Sequence, residues 1–372
     1  MALYKTLVKK VSISPEKKTK QKDYLPKGQL PIIDQGQQLI GGYSDNPDLQ
    51  LSCNLPVIVF GDHTRAVKYV DFPFGAGADG IKVLEPAAGI YPKFLYYATQ
   101  YLVLRLEDRG YARHYQYIEK KELDIPSIPE QKRIVARIEQ LFSELDNGVE
   151  TLQKTKQQLA VYRQAVLKDA FSYITEKKTI REMSSIVTSG SRGWAQYYSD
   201  HGAKFVRIGN LTRDRIRIDL SDIQFVDLPD GAEGKRTQLH PNDVLVSITA
   251  DLGSIGLVPD DSGGAYVNQH IAMIRFLNPV QGEFMAWYLR SDYGQKDLLK
   301  NKRGGGKLGL GLDDIRDSRV PVVSDAEAIK IVGNIESRLS VCDSIENTVD
   351  TALQQAEAMR QSILKQAFEG SL

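Results

Sequence analysis

The sequence predicts an α+β chain: two β-rich domains separated by a long antiparallel two-helix coiled coil, pseudo-two-fold symmetric. Three observations lead there. A pair of segments recurs at one fixed spacing, the recurring segments have helical periodicity, and the stretches between them read as short strands and turns. At 372 residues, and about 150 residues per domain, the chain has room for two globular domains and a connecting element.

The repeat comes first, because a missed repeat misassigns the whole fold. IVARIE at 134–139 returns as IVGNIE at 331–336, and RQAVLKDAF at 163–171 returns as RQSILKQAF at 360–368, both at an offset of 197 residues. The offset holds without a gap between the two matches, pairing Asp146 with Asp343. Within the first copy Ile138, Leu141, Leu145, Leu152, Leu159, Tyr162 and Val166 follow the alternating three- and four-residue steps of a coiled-coil seam. The same register in the second copy takes Ile335, Cys342, Ile345, Val349, Ala352, Ala356, Met359 and Ile363, with Leu339 beside it. Pro129 precedes the first helix, and Ser324 and Asp325 stand where an N-cap belongs in the second. Each helix should span roughly 40 residues, on the order of 60 Å. A domain's termini usually lie close together, so the helices should pair antiparallel and hold the two domains apart. The expected division is 1–128, 129–172, 173–323 and 324–372.

Both intervening regions run through strands and turns into an aromatic helix and then a loop. The first has PVIVFG at 56–61, VKYVDFPF at 67–74, GIKVLEP at 80–86 and the helical PKFLYYATQYLVLRL at 92–106. The second has KFVRIGNL at 204–211, DVLVSITADLGSIGLV at 243–258, YVNQHIAMIRF at 266–276 and EFMAWYLRS at 283–291. The loops that follow, RGYARHYQY at 109–117 and NKRGGGKLGLG at 301–311, lead back to the long helices.

Composition excludes several classes. Charged residues at 26% and hydrophobic ones at 42% are ordinary for a globular protein. No apolar run reaches membrane-span length, and the N-terminal stretch has no apolar core before a cleavage site, so no membrane association and a cytoplasmic location are expected. The two cysteines, Cys53 and Cys342, are too few for a disulfide framework or a zinc knuckle. Net charge is +1, which by itself names no polyanionic partner.

Catalytic patterns are present only as fragments. Gly75-x-Gly77-x-x-Gly80 precedes a strand rather than a helix and reads as a tight turn. Asp230 and Glu233 are too close in sequence to lie on neighbouring strands around one metal. Asn278-Pro279 is followed by Val280-Gln281 rather than by the proline and aromatic of an amino-methylation motif. GGGK at 304–307 lacks the hydroxyl of a phosphate-binding loop. No nucleophile–base pair or metal cage assembles, so neither a catalytic nor a metal-binding residue is expected.

The loops do supply side chains suited to base edges and phosphates. Arg and Lys match guanine O6/N7, and Asn and Gln match adenine N6/N7. His63, Thr64, Arg65, Arg113, His114 and Gln116 are the candidates in the first half. Ser191, Arg192, Asn210, Arg213, Asn268, Gln269, His270, Lys302, Arg303 and Lys307 are those in the second. Any one of them equally suits capping a turn or pairing with a neighbouring carboxylate.

IPSIPEQKRIVARIEQLFSELD at 125–146 and the two RQxxLKxAF segments resemble the conserved helical regions of the specificity (S) subunit of type I restriction-modification enzymes. VIVFGDHTRAVKYVDFPFGAGADGIKVL at 57–84 and KFVRIGNL with AYVNQHIAMIRF look like its target-recognition domains; VPVVSDAEA departs from the Pro-Glu-Gln form that opens the first helix. The resemblance implies a non-catalytic subunit that reads a bipartite, asymmetric site on double-stranded DNA, one half per target-recognition domain, with the helices setting the spacer. It further implies two modification (methyltransferase) subunits docked beside the helices, and restriction subunits. S-adenosylmethionine, ATP and Mg are then expected on those partners, with no cofactor on this chain. A different class remains open from the residues alone: a coiled-coil scaffold whose β-rich ends bind proteins or glycans. Binding that weakens with salt whatever the sequence would favour nucleic acid. A stand-alone nuclease would require metal-dependent cleavage by the chain alone.

Overall fold

The computed structural model describes all residues except 79, 108–109, 191, 214, 230–236, 301, 303–308 and 372. It forms two compact units, Met1–Gln153 with Val349–Leu372, and Lys154–Thr348. Four principal helices run through the chain: α1 (Pro92–Leu104), α2 (Ile128–Phe171), α3 (Gly282–Arg290) and α4 (Asp325–Phe368).

In the first unit the main sheet contains β1 (Val8–Val11), β2 (Val57–Gly61), β3 (Val67–Val70) and β4 (Ile81–Pro86), ordered β1-β4-β2-β3 and antiparallel throughout. Side chains alternate faces along a strand, and β2 is apolar at consecutive positions because both of its faces are covered. Ile58 and Phe60 pack with Leu84 on Phe94, Leu95, Ala98 and Leu102 of α1. Val57, Val59 and Val83 pack on Ile33 and Ala76 from a second four-stranded sheet and on Phe74 just before one of its strands. Gly75–Gly77, read from sequence as a tight turn, is instead a strand of that sheet, between Lys18–Thr19 and Leu30–Ile33. Glycine is needed there for room: a Cβ at Gly75 would lie 2.7 Å from Ile32 Cδ1, and one at Gly77 2.6 Å from Asp34 Cβ. The turn itself falls at Gly80, where φ is +76°.

The second unit repeats this plan. β5 (Ser184–Ser189), β6 (Val244–Ser247), β7 (Ile255–Leu257) and β8 (Ile271–Phe276) are ordered β5-β8-β6-β7, again all antiparallel. Val244, Val246, Ala272 and Ile274 meet α3, while Leu245, Ile271 and Met273 meet Val206 and Val267 on the opposite face.

The long helices are 44 residues each. In the first unit Ile138 and Phe142 of α2 share a core with Ile363, Leu364 and Ala367 of α4. In the second, Val166, Leu167 and Phe171 share one with Ala328, Ile331, Val332, Ile335 and Leu339. Arg163 binds Asp343 at 2.6 Å and Asp169 binds Arg338 at 3.1 Å, so numbers rise along α2 as they fall along α4: the helices are antiparallel. At the start of α4 the Glu327 N–H donates to Ser324 Oγ, 3.3 Å away, as a capping serine should accept.

The seam differs from the heptad reading in three places. Ile138, Leu159, Val166, Ile335, Cys342, Val349 and Ile363 are buried, and Leu141, Leu145, Leu152, Ala352 and Ala356 are partly covered. Tyr162, Ile345 and Met359 are instead exposed, by 43%, 40% and 55%. Ile138, Leu145, Leu152, Leu159 and Val166 stay covered at seven-residue steps, as do Ile335, Cys342, Val349, Ala356 and Ile363, so one row of the seam holds throughout, and where the reading fails the second covered row lies four residues on rather than three. The next residues, Arg163, Glu346 and Arg360, are the partly covered ones, and the same row buries Phe142 and Leu339.

Those arginines turn the repeat into an exchange of partners. Arg163 and Arg360 are equivalent at the 197-residue offset, as are Asp146 and Asp343. Arg163 binds Asp343 and Arg360 binds Asp146, each arginine taking the aspartate of the opposite copy. Arg360 also lies 4.5 Å over the Phe142 ring. Arg163→Ala should cost about 1 kcal/mol in urea unfolding, since its partners are largely exposed. The swap Arg163→Asp with Asp343→Arg should recover part of that loss; a swap no better than the single substitutions would mean the pair contributes nothing.

Candidate nucleic-acid interface

In each unit the hairpin between two neighbouring strands of the main sheet is tied to a loop from elsewhere in that unit. In the first unit the hairpin Gly61–Ala66 joins β2 to β3. It closes through Gly61 N–H to Ala66 O and Arg65 N–H to Gly61 O, both 2.8 Å. Arg65 takes the left-handed conformation, φ +62°, which a non-glycine residue seldom adopts.

Asp62, 3% exposed, does the tying. Its carboxylate accepts the Tyr115 N–H at 2.9 Å, and its carbonyl accepts the His114 N–H at 2.8 Å and lies 3.0 Å from His114 Nδ1. Lys82 stands 3.4 Å from the same carboxylate. His63 Nδ1 is 3.2 Å from the Ala112 carbonyl, and its ring stacks on Tyr111 with centroids 4.3 Å apart and planes 3° from parallel. A carbonyl can only accept, so in both histidines Nδ1 carries the hydrogen. The Thr64 hydroxyl donates to the Gln35 carbonyl, and Gln116 Nε2 donates to the Arg113 carbonyl at 2.9 Å.

His63, Thr64, Arg65, Arg113 and Gln116 therefore converge on one surface. His114 is among them in sequence but not in accessibility. Its ring is 1% exposed, so it cannot meet a base edge, and it holds the loop to the hairpin instead. Sequence reasoning missed Tyr111, 83% exposed; an aromatic inside a Gly/Arg loop was the available signal.

In the second unit the hairpin from Ser247 to Ser254 joins β6 to β7, with Ala250 at φ +57°. The Ile248 N–H donates to the His270 carbonyl at 2.9 Å, and Thr249 Oγ1 is 2.9 Å from His270 Nδ1. The His270 N–H donates to Asn268 Oδ1 at 3.1 Å, and Gln269 Nε2 is 3.1 Å from His270 Nε2. Arg213 grips Asp251 at 2.6 Å. That guanidinium, with the Ser254 hydroxyl, holds the Asp251 carboxyl below its usual range. The Leu310 N–H donates to the Ile248 carbonyl at 3.0 Å, bringing the chain after the glycine-rich segment onto the hairpin.

Arg213, Asn268, Gln269 and His270 are thus collected at one hairpin, with Thr249 and Asp251 as members the sequence reading missed. A cleft of about 400 Å³ beside Asn268 is lined also by Arg207 and Asp222. Asn210 is a correction. It is 4% exposed; its Oδ1 accepts the Arg207 N–H at 2.8 Å, and its Nδ2 donates to the Asp219 and Asp222 carbonyls at 2.8 and 3.2 Å. With its amide committed internally, it shapes the cleft rather than reading a base. Arg192 and Lys302 are exposed, while Ser191, Arg303 and Lys307 lie outside the described residues. Among the described residues no three His, Cys, Asp or Glu side chains group as a metal site.

The model of the type I restriction modification DNA specificity domain family matches residues 10–159. The chain is 25% identical over 285 residues to the type I restriction enzyme EcoBI specificity subunit of Escherichia coli, covering 67% of this chain and 58% of that protein. It is 25% identical over 272 residues to the EcoKI specificity subunit of Escherichia coli strain K12, covering 67% and 57%. The matches thus span less than two thirds of these relatives. Among solved structures, a chain from work on "complex assembly and conformational transition of the type I R-M system" superposes with a TM-score of 0.74 at 14% identity, covering 100% of this chain and 97% of that one. The HsdS subunit from Thermoanaerobacter tengcongensis superposes at 0.55, also with 14% identity, covering 100% and 96%. At that identity the likeness is one of fold. With its matched domain, its relatives and a fold shared along its length, the chain is similar to the specificity (S) subunits of type I restriction-modification systems.

Proposed function

We propose that this chain is the sequence-reading, non-catalytic subunit of a type I restriction-modification complex, each unit reading one half of a bipartite, asymmetric site on double-stranded DNA. The carrying observation is the convergence in each unit: a hairpin held by a buried sheet gathers side chains that match base edges in the major groove. In the first unit these are His63, Thr64, Arg65, Arg113 and Gln116; in the second, Arg213, Asn268, Gln269 and His270. The long helices set the unread spacer and dock two modification subunits, which bring S-adenosylmethionine. Restriction subunits bring ATP and Mg. The complex works in the cytoplasm; among the described residues no helix is long and apolar enough to cross a membrane.

Mapping adenine methylation genome-wide in cells that carry the chain with its methyltransferase tests this. The expected result is one bipartite motif, and methylation without a split motif would overturn the reading. Arg113→Ala should relax one half-site only, with ~1–3 kcal/mol of discrimination lost at one position. Competition binding against single-base variants decides it, since uniform weakening would make Arg113 a phosphate contact. Inserting four residues at matched positions in both long helices adds about 6 Å. The methylated motif should then gain spacer and keep its halves; an unchanged spacer would show that the helices are not the ruler.

A further inference from the structure

The loop that presents Arg113 also borders a cleft that base reading leaves unused. It is about 290 Å³ in volume, lined by Arg105, Glu107, His114, Tyr117, Lys120 and Lys121, with Leu106. Three cations against one carboxylate favour an anion. The second observation is the His114 ring, which lines the cleft and is 1% exposed. Its Nδ1 is committed to the Asp62 carbonyl at 3.0 Å, while the opposite nitrogen, Nε2, is buried without a hydrogen-bond partner among the described residues. An orphaned buried polar atom is costly to a fold, and such an atom in a native fold calls for a partner. Arg105 gives one N–H to the Tyr101 hydroxyl at 2.8 Å, and a guanidinium has further donors to offer.

We infer that this cleft seats a phosphate group. Lys120, Lys121 and Arg105 supply charge-assisted donors. Because Nδ1 already carries a hydrogen, Nε2 can donate to the phosphate only after taking a proton from solvent, so binding takes up a proton. The charged and titratable groups around the imidazole are the other five polar residues of the cleft, with Asp62, its partner Lys82, and Tyr115 behind the ring. The inference rests on the DNA-reading proposal only in naming the first source of phosphate, the backbone of a bound duplex; the second source is free inorganic phosphate.

The test uses the full chain, a duplex of arbitrary sequence, and inorganic phosphate alone. Lys120→Ala with Lys121→Ala removes exposed side chains and leaves the core untouched. If the cleft holds a backbone phosphate, the slope of log affinity against log salt should shrink by about 0.9, and affinity at 0.1 M salt should fall about eight-fold, equally for every sequence. Calorimetry in buffers of different ionisation enthalpy should show proton uptake by the wild type and not by His114→Gln; no uptake in the wild type would remove His114 from the site. If duplex binding is unchanged but phosphorus-31 line broadening by inorganic phosphate disappears in the lysine variant, the site stands and its source is free phosphate. If neither duplex nor phosphate responds to the lysine substitutions, the inference falls. Cleft-dependent phosphate binding in a chain with no preferred bipartite site would instead overturn the reading proposal and leave the cleft.

Discussion

Ile335→Asp should lower the stability of the second unit by ~4 kcal/mol, because it places an uncompensated carboxylate in a core with no partner for it. Ile335 is 0% exposed and shares its cluster with Val166, Phe171 and Leu339. Ile345→Asp on the same helix should cost less than about 0.5 kcal/mol, the usual range for a surface position, since Ile345 is 40% exposed. An alternating three- and four-residue seam treats the two as equivalent, so urea unfolding of this pair separates the observed face from that reading. Similar midpoints for the two variants would sink the register described above.

A second large effect should appear as a dependence of stability on pH. Lys93 near the start of α1 binds Glu139 of α2 at 2.6 Å. The same place in the second unit has Glu283 near the start of α3, facing Glu336, which stands at the 197-residue offset from Glu139. The salt bridge of one half is thus a carboxyl pair in the other. Burial, then the hydrogen bond and charge of Glu336, push Glu283 up to about 7; Arg217, at 2.9 Å, opposes the shift, and Asp260 adds to it. A carboxyl raised in the folded state binds its proton more tightly there than in the unfolded chain. Its contribution is therefore fully present below the unfolded value of 4.5 and is lost as pH rises through about 7. The Glu283 side chain is 23% exposed, so after allowance for screening the loss is on the order of 2 kcal/mol. Glu283→Gln should flatten the fall in stability between pH 5 and 8, and Glu283→Lys should restore an ion pair of the first unit's kind. An unchanged pH profile in Glu283→Gln would show that the pair does not share a proton.

The long helices were legible because two identical periodic signals stand at one offset, and no tertiary contact is needed to see them. The strands were legible where both faces are buried, as in Val57–Phe60. Gly75–Gly77 was misread because glycines forced by a neighbour's side chain look like glycines forced by a turn. Asn210 and Asn268 have the same chemistry, and only burial separates the one that shapes a cleft from the one beside it. Tyr111 escaped notice because its place beside the hairpin comes from stacking on His63, which is distant in sequence. Tyr162, Ile345 and Met359 were misplaced because the second covered row lies four residues after the first rather than three, an offset that composition does not reveal.

The two-sided burial of β2 has an evolutionary consequence. Val57, Ile58, Val59 and Phe60 are at most 1% exposed, so the strand is anchored by residues that never reach the tip, whereas Thr64 at the tip is exposed. Surface substitutions usually shift stability by no more than about 0.5 kcal/mol. On the proposed DNA-reading role, a lineage can therefore alter what the hairpin meets through single changes at its end while the foundation stays the same. Mutational drift in target preference meets little resistance from folding, and selection is left to act on recognition alone.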